Sequence, residues 1–150
     1  MQSTDTIKRI LTEYKTIAVV GLSGNWNRPS HFAAKYMKAH GYKIIPVNPS
    51  YDEILGEKCY KSLLEIPEPV DIVDIFRRPQ DVPPIVDDAI EIGAKVVWMQ
   101  LTVEHEEAAQ KAREAGLEVI MNRCVKIEHG RFFGGINFLG VNRGVITSKK

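Results

Sequence analysis

The stretch Thr16 to His40, TIAVVGLSGNWNRPSHFAAKYMKAH, decides the fold of this 150-residue chain. Ile17-Ala18-Val19-Val20 is a short apolar run stopped by Gly21, which suits the first strand of a parallel α/β sheet. Pro29-Ser30 opens a helix, Pro fitting its first turn and Ser its cap. Ala33, Tyr36, Met37 and His40 fall on one face of that helix, and Gly41 ends it. Between strand and helix lies Gly21-Leu22-Ser23-Gly24-Asn25-Trp26-Asn27-Arg28. Glycines let such a loop turn sharply and approach a ligand closely. The following helix points free N–H groups and its positive dipole end into the loop. Arg28 adds a fork of donors matched to phosphate oxygens. The unit therefore predicts phosphate or nucleotide binding, set against an ordinary βα turn with a solvated arginine.

Outward from this unit, the chain alternates strands and helices. Thr4 to Tyr14 is an amphipathic helix with Ile7, Ile10, Leu11 and Tyr14 on one face. Lys43 to Val47 is the second strand, with Pro46 near its end because proline cannot donate to a ladder. Asn48-Pro49 is a turn dipeptide at the strand's carboxyl end. Tyr51 to Tyr60 reads as a connection, and Lys61 to Ile66 as a short helix stopped by Pro67. Asp71 to Ile75 is the third strand, followed by Phe76-Arg77-Arg78 on the same rim as the glycine loop. Phe76 is placed to flank a ring and Arg77 to meet a second phosphate, while Arg78 reads as solvated. A helix from Asp81, its cap, to Ile92 buries Ile85, Ala89 and Ile92. Val96 to Met99 is the fourth strand, Glu104 to Ala115 a helix, and Leu117 to Met121 the fifth strand. Five strands alternating with helices through short loops predict a three-layer, doubly wound parallel α/β sheet of Rossmann-like type. Its crevice belongs beside strand one, where the strand order reverses.

Beyond Lys126 the apolar pattern dissolves. Residues 129–150 hold five of the eleven glycines and no helical period. Phe132, Phe133, Ile136, Phe138 and Leu139 make this stretch too apolar for a free linker. We therefore read residues 1–128 as the domain with its N-terminal helix. Residues 129–150 read as a glycine-rich extension that packs on the domain or on a partner subunit.

Composition bounds the function. The formal net charge of +1 creates no strong field for nucleic acid or a membrane surface. The N-terminal residues lack the apolar core of a signal peptide, and no apolar run approaches the roughly 20 residues that span a bilayer. Cys59 and Cys124 form no CxxC and no Cys/His metal spacing, which fits a reducing cytoplasm. The four histidines, His31, His40, His105 and His129, form no recognisable catalytic set, and His31 reads as a helix-start surface residue. No GxSxG elbow is present. Cys124, at the end of strand five, reads as a small half-buried residue, since a nucleophilic cysteine needs a nearby base or a depressed pKa.

A set of short motifs, in order, carries a resemblance. It comprises Ala18-Val19-Val20-Gly21-x-Ser23, Arg28-Pro29-Ser30, Gly41-Tyr42, Pro46-Val47-Asn48-Pro49, Gly56, Ser62-Leu63, Ile66-Pro67, Val70-Asp71, Phe76-Arg77, Trp98-x-Gln100 and Cys124-x-x-x-Glu128. The chain from Lys15 to Glu128 resembles the small stand-alone CoA-binding domain proteins. These are similar in fold to the N-terminal domain of the succinyl-CoA synthetase alpha subunit. The resemblance implies coenzyme A or an acyl-CoA as ligand. It implies that Gly21, Ser23, Arg28 and Ser30 hold phosphates, and that Val47, Asn48 and Pro49 border the adenosine. Phe76, Arg77 and Gln100 would line the rest of the groove. The synthetase's catalytic histidine belongs to a second domain with no counterpart in this stretch, so the implied role is binding without catalytic machinery, alone or beside a protein partner. Two rivals come from other classes. An NAD(P)-dependent oxidoreductase is opposed by GxxG in place of GxGxxG, and by Asn48 where an acid would meet the ribose. A thiol-redox module would pair Cys124 with the CoA thiol.

Overall fold

The computed structural model describes residues 3–133. A parallel sheet is built from β1 (Thr16–Val20), β2 (Lys43–Val47), β5 (Ile72–Ile75), β6 (Val96–Met99) and β7 (Glu118–Ile120). A small antiparallel hairpin, β3 (Glu53–Ile54) and β4 (Glu57–Lys58), lies between β2 and β5 in the chain. The five-stranded sheet has the order β2-β1-β5-β6-β7. The chain moves outward from β1 to β2, then crosses back over β1 to β5, so the winding reverses beside β1 as expected.

The strands are buried on both faces, which is why they read as unbroken apolar runs. Alternate side chains divide between two cores. Ile17, Val19, Ile72, Val96, Trp98 and Ile120 face α1 (Thr4–Glu13), α2 (Pro29–Ala39) and α5 (Val125–Phe133). Ala18, Val20, Val73, Ile75, Val97 and Met99 face α3 (Val82–Glu91) and α4 (Glu106–Glu114). The result is the three-layer, doubly wound architecture that the strand–helix alternation predicts. Pro46 is tolerated because β2 is an edge strand. Its carbonyl accepts from the Tyr60 N–H on the strand's outer side (3.0 Å), so its missing donor costs the β1 ladder nothing.

Several local expectations are corrected. The N-cap of α2 is Arg28, and Ser30 lies inside the helix with its hydroxyl turned to the glycine loop. Asp81 stands at the cap of α3 but makes no capping bond; its carboxylate pairs with Arg77 and Arg78 instead. The buried stripe of α3 is Val82, Val86 and Ala89, and Ile85 and Ile92 pack only at its margins. Residues 61–66 hold one short 3-10 turn, Leu63–Glu65. The connection after β2 is a hairpin because Leu55 and Gly56 both take positive φ (56° and 76°), the backbone of a type I′ turn.

The largest difference is α5. The absence of an apolar period after Lys126 argues against a helix there, yet one runs to Phe133 and packs on α1 and α2. Its buried residues are Val125, Glu128, His129 and Gly130, so the inward face is partly polar and invisible to a hydrophobic period. Specific partners make the burial tolerable. The Glu128 carboxylate accepts from Arg131 (2.9 and 3.2 Å), and His129 Nδ1 lies 2.9 Å from the Tyr36 hydroxyl. The rest of the extension, with Ile136, Phe138 and Leu139, lies outside the described residues.

The His129 ring also meets His40, Tyr42 and Phe133 edge-on or tilted. Burial, then His40 at the C-terminal cap of α2 and Lys15 beyond α1, lower its pKa from the ordinary imidazole value. The unfolded chain therefore takes up this proton first. Its contribution to stability is present above about pH 6.5 and is lost as pH falls below it. Urea denaturation from pH 7.5 to 5 should show this loss in the wild type and a shallower one in His129→Phe. Equal slopes would mean that the ring titrates as it does in the unfolded chain.

Candidate functional site

The carboxyl ends of the strands form one rim, and the glycine loop stands over its reversal point. Gly21 takes φ +89°, a conformation that L side chains rarely adopt. Its N–H donates to the Val47 carbonyl of β2 (2.9 Å). A Cβ there would sit 2.3 Å from the Phe76 carbonyl oxygen and 2.8 Å from Arg77 Cδ. The loop is thus drawn against the ends of both strands that flank β1.

Internal bonds then shape the loop. The Ser23 N–H donates to Ser30 Oγ and the Asn25 N–H to Ser23 Oγ, both at 3.0 Å. His31 Nδ1 donates to the Ser23 carbonyl (2.9 Å), so His31 braces the loop from half-buried ground rather than standing as a surface residue. Asn48 bridges β2 to the loop: its Nδ2 donates to the Leu22 carbonyl (3.1 Å) while its Oδ1 accepts from the Ser50 N–H (2.9 Å). The Tyr51 ring closes over Gly24, where a Cβ would meet Cε1 at 2.6 Å. Arg28, at the start of α2, is exposed and makes no ion pair with any described residue.

Two of the grooves on the rim adjoin the loop and the strand ends beside it. The smaller, of about 310 Å³, is lined by Gly21, Val47, Pro49, Lys61, Arg77 and Asp81 among others. The larger, of about 860 Å³, runs past the ends of β5, β6 and β7. Pro29, Phe76, Leu101, Val103 and Ile127 give it apolar walls, and Arg77, Gln100 and the half-buried Cys124 add polar groups. Arg77 and Asp81 line both grooves and face each other across 3.8 Å.

The sequence-derived residues therefore divide. Gly21, Val47, Pro49 and Arg77 meet in the smaller groove, and Phe76, Arg77 and Gln100 in the larger. Ser23, Ser30 and Asn48 line neither; they build the loop. Arg28 lines neither, although its neighbour Pro29 borders the larger groove.

Sequence reasoning passed over Asp74. This carboxyl is fully enclosed beneath the rim, between Val19 and Trp98 in the register of the sheet. Gln100 Nε2 donates to its Oδ1. Burial pushes the Asp74 carboxyl up to about 7, with the Gln100 bond working in the other direction. The available signal was an acid inside Ile72-Val73-Asp74-Ile75, because an unpaired charge is costly in a strand buried on both faces. Tyr51 and Asp81 carried no comparable signal.

Fold and rim together define a doubly wound α/β domain with its crevice at the strand reversal. A family model described as CoA binding domain matches residues 15–130, and the chain belongs to that family. It is 48% identical over 123 residues to the uncharacterized protein YneT of Bacillus subtilis, covering 82% of this chain and 91% of that one. It is 32% identical over 139 residues to the ADP-forming acetate–CoA ligase II of Archaeoglobus fulgidus, covering 89% of this chain but only 20% of the ligase. Among solved structures, a hypothetical protein from Pyrococcus horikoshii superposes with a TM-score of 0.86 at 46% identity, over 89% of this chain and 94% of that one. The Korarchaeum cryptofilum dinucleotide-forming acetyl-coenzyme A synthetase 1, in complex with phosphate and ADP, gives 0.66 at 28% identity, over 72% of this chain and 26% of that one.

Gly21→Ala tests whether the rim depends on the close approach at Gly21. The substitution adds left-handed strain and a backbone clash, so a loss of at least about 2 kcal/mol is expected. Denaturant titration reads it. An unchanged midpoint would show that the loop can stand away from β5.

Proposed function

We propose that this chain binds coenzyme A or an acyl-CoA across the two grooves, and that it serves as a binding module rather than a self-sufficient catalyst. The observation that carries the reading is the meeting of a small, charged groove and a larger, apolar-walled one at Arg77, beside a glycine loop and a helix N-terminus. Coenzyme A has the same division, a phosphorylated nucleotide joined to a long, mostly apolar arm. In this reading Gly21, Ser23, Arg28 and Ser30 hold phosphates, while Val47, Asn48 and Pro49 border the adenosine. The arm passes Arg77 and lies along Phe76 and Gln100.

The residues present fit such a ligand. The Arg28 guanidinium has no carboxylate partner among the described residues, and the N–H groups of the first turn of α2 face an anion favourably. Ser23 and Ser30 accept bonds within the loop, which leaves each hydroxyl proton available to a phosphate oxygen. Asn48 places no negative charge beside a ribose phosphate. The bound cofactor would supply a thiol that carries acyl groups; the chain's own residues bind and orient it. Because the ligase relatives carry this region as about a fifth of a longer chain, chemistry on the bound ligand would come from outside residues 15–130.

Thermal shift with CoA, acetyl-CoA, NAD and NADP tests the reading. At about 100 times its dissociation constant a ligand adds about 2.7 kcal/mol, or roughly 5–10 °C for a domain of this size. A shift with CoA species and none with NAD is expected; a shift with NAD alone would overturn the proposal. Calorimetry on Arg28→Ala then tests the phosphate contact. The charge-assisted bonds should be worth about 1.5–3 kcal/mol, so affinity should fall about 10- to 150-fold while unliganded stability stays the same. Equal affinities would turn Arg28 away from the ligand.

A further inference from the structure

The larger groove contains a polar pair whose orientation is set from below. Gln100 follows β6 on the rim, lines the groove and is itself only 3% exposed. Its side-chain amide has a donor end and an acceptor end. The donor end is turned down into the protein, because Nε2 gives one of its two N–H groups to the Asp74 carboxylate beneath it. The acceptor end, Oε1, receives no hydrogen bond from any described residue. A buried amide oxygen without a donor is a costly group, and a ligand that supplies the donor removes that cost.

Asp74 is what makes the orientation definite. An ionised carboxylate only accepts hydrogen bonds, so it selects the amide nitrogen of Gln100 and turns the oxygen away from itself. Its neighbours across the sheet are Val19 and Trp98, which offer its carboxylate no competing charge. Gln100 is its hydrogen-bond partner among the described residues. Phe76, Leu101, Val103 and Ile127 offer Oε1 no donor, and none of the groove's own donors, on Arg77, Arg78, Thr102 and Cys124, is hydrogen-bonded to it.

We propose that the buried Asp74–Gln100 pair sets the hydrogen-bonding polarity of the larger groove, so that the groove takes an arm presenting an amide N–H at Gln100 Oε1. Asp74 is a positioning residue here, acting only through Gln100. The inference rests on the coenzyme A reading, because the arm of coenzyme A carries secondary amides. It adds the specificity element: an arm without an N–H at that point leaves the buried oxygen unpaired. A purely hydrocarbon arm therefore binds poorly in a groove whose walls alone would welcome it.

Calorimetry at pH 8.5, where Asp74 is ionised, compares CoA with adenosine 3′,5′-bisphosphate, which has the nucleotide end without the arm. Asp74→Leu, with the same branching but bulkier and without an acceptor, should weaken CoA binding about 5- to 15-fold and change the bisphosphate by less than about twofold. Asp74→Asn restores an acceptor for Nε2 and should return CoA affinity to within about threefold of wild type. Gln100→Met should show the same selective loss as Asp74→Leu, and it decides the matter if Asp74→Leu does not fold. Equal weakening of both ligands by the variants, or weakening of neither, would overturn the inference. So would equal affinity of wild type for the two ligands, which leaves the coenzyme A reading standing. Wild type binding neither ligand would instead overturn that reading itself.

Discussion

The rim depends on how closely one backbone can approach another at Gly21. The loop after β1 presses its Cα toward the Phe76 carbonyl, into space that any side chain would fill. It simultaneously ties its N–H to the Val47 carbonyl. The ends of β2 and β5, which lie on opposite sides of β1, are thereby drawn to one loop. Arg77 follows from this contact, since its side chain lies along the glycine and so reaches both grooves. A residue with a Cβ would push the loop off the rim and separate the grooves. The topological reversal provides the crevice, and the missing Cβ allows it to be narrow.

A second constraint is polarity placed where burial is complete. Ser30, Asp74, Gln100, Glu128 and His129 are the buried polar or charged side chains among the described residues. Each has a named partner, as it must when water is excluded. Three of them, Ser30, Asp74 and Gln100, stand at or just beneath the rim. Of the other two, both on α5, His129 bonds to Tyr36 on α2, while Glu128 pairs with Arg131 on its own helix. A core built only for stability has little use for such groups, because apolar residues of similar volume would satisfy it. Their position under the rim and along the helix that borders it ties them to the shape of the grooves.

Family membership gives this arrangement a context. The same region occurs as a segment of ADP-forming acetate–CoA ligases and as nearly the whole length of YneT. A fold whose site lies on one rim suits both settings. The Phe132 ring packs against the core, whereas Ile127 and Phe133 remain exposed on the same helix. Ile127 therefore presents apolar surface at the wall of the larger groove.

The parallel sheet, its layers and the loop over a reversal point beside the first strand were legible in the residues themselves. Apolar runs ending in Gly21, Phe76 and Gln100, separated by helical periods, leave little freedom to a chain with short connections. Gly21, Val47, Pro49, Phe76, Arg77 and Gln100 were legible as rim residues because each lies at or just after the carboxyl end of a strand. The β3–β4 hairpin was not legible, since Leu55 in a left-handed conformation has no sequence signal. Nor was α5, because its buried face contains Glu128 and His129, whose partners come from Arg131 and from Tyr36 on another helix. Asp74 shows the limit most clearly. An acid within an apolar strand marks a position as unusual, but its meaning depends on what lies beside it after folding. Only the tertiary structure brings Gln100, 26 residues away, to the buried carboxylate that its amide nitrogen serves. Periodicity and turn chemistry are local properties that the sequence carries by itself. Hydrogen-bond satisfaction of a buried group is a pairwise property of the packed chain, and it is decided only when the layers close.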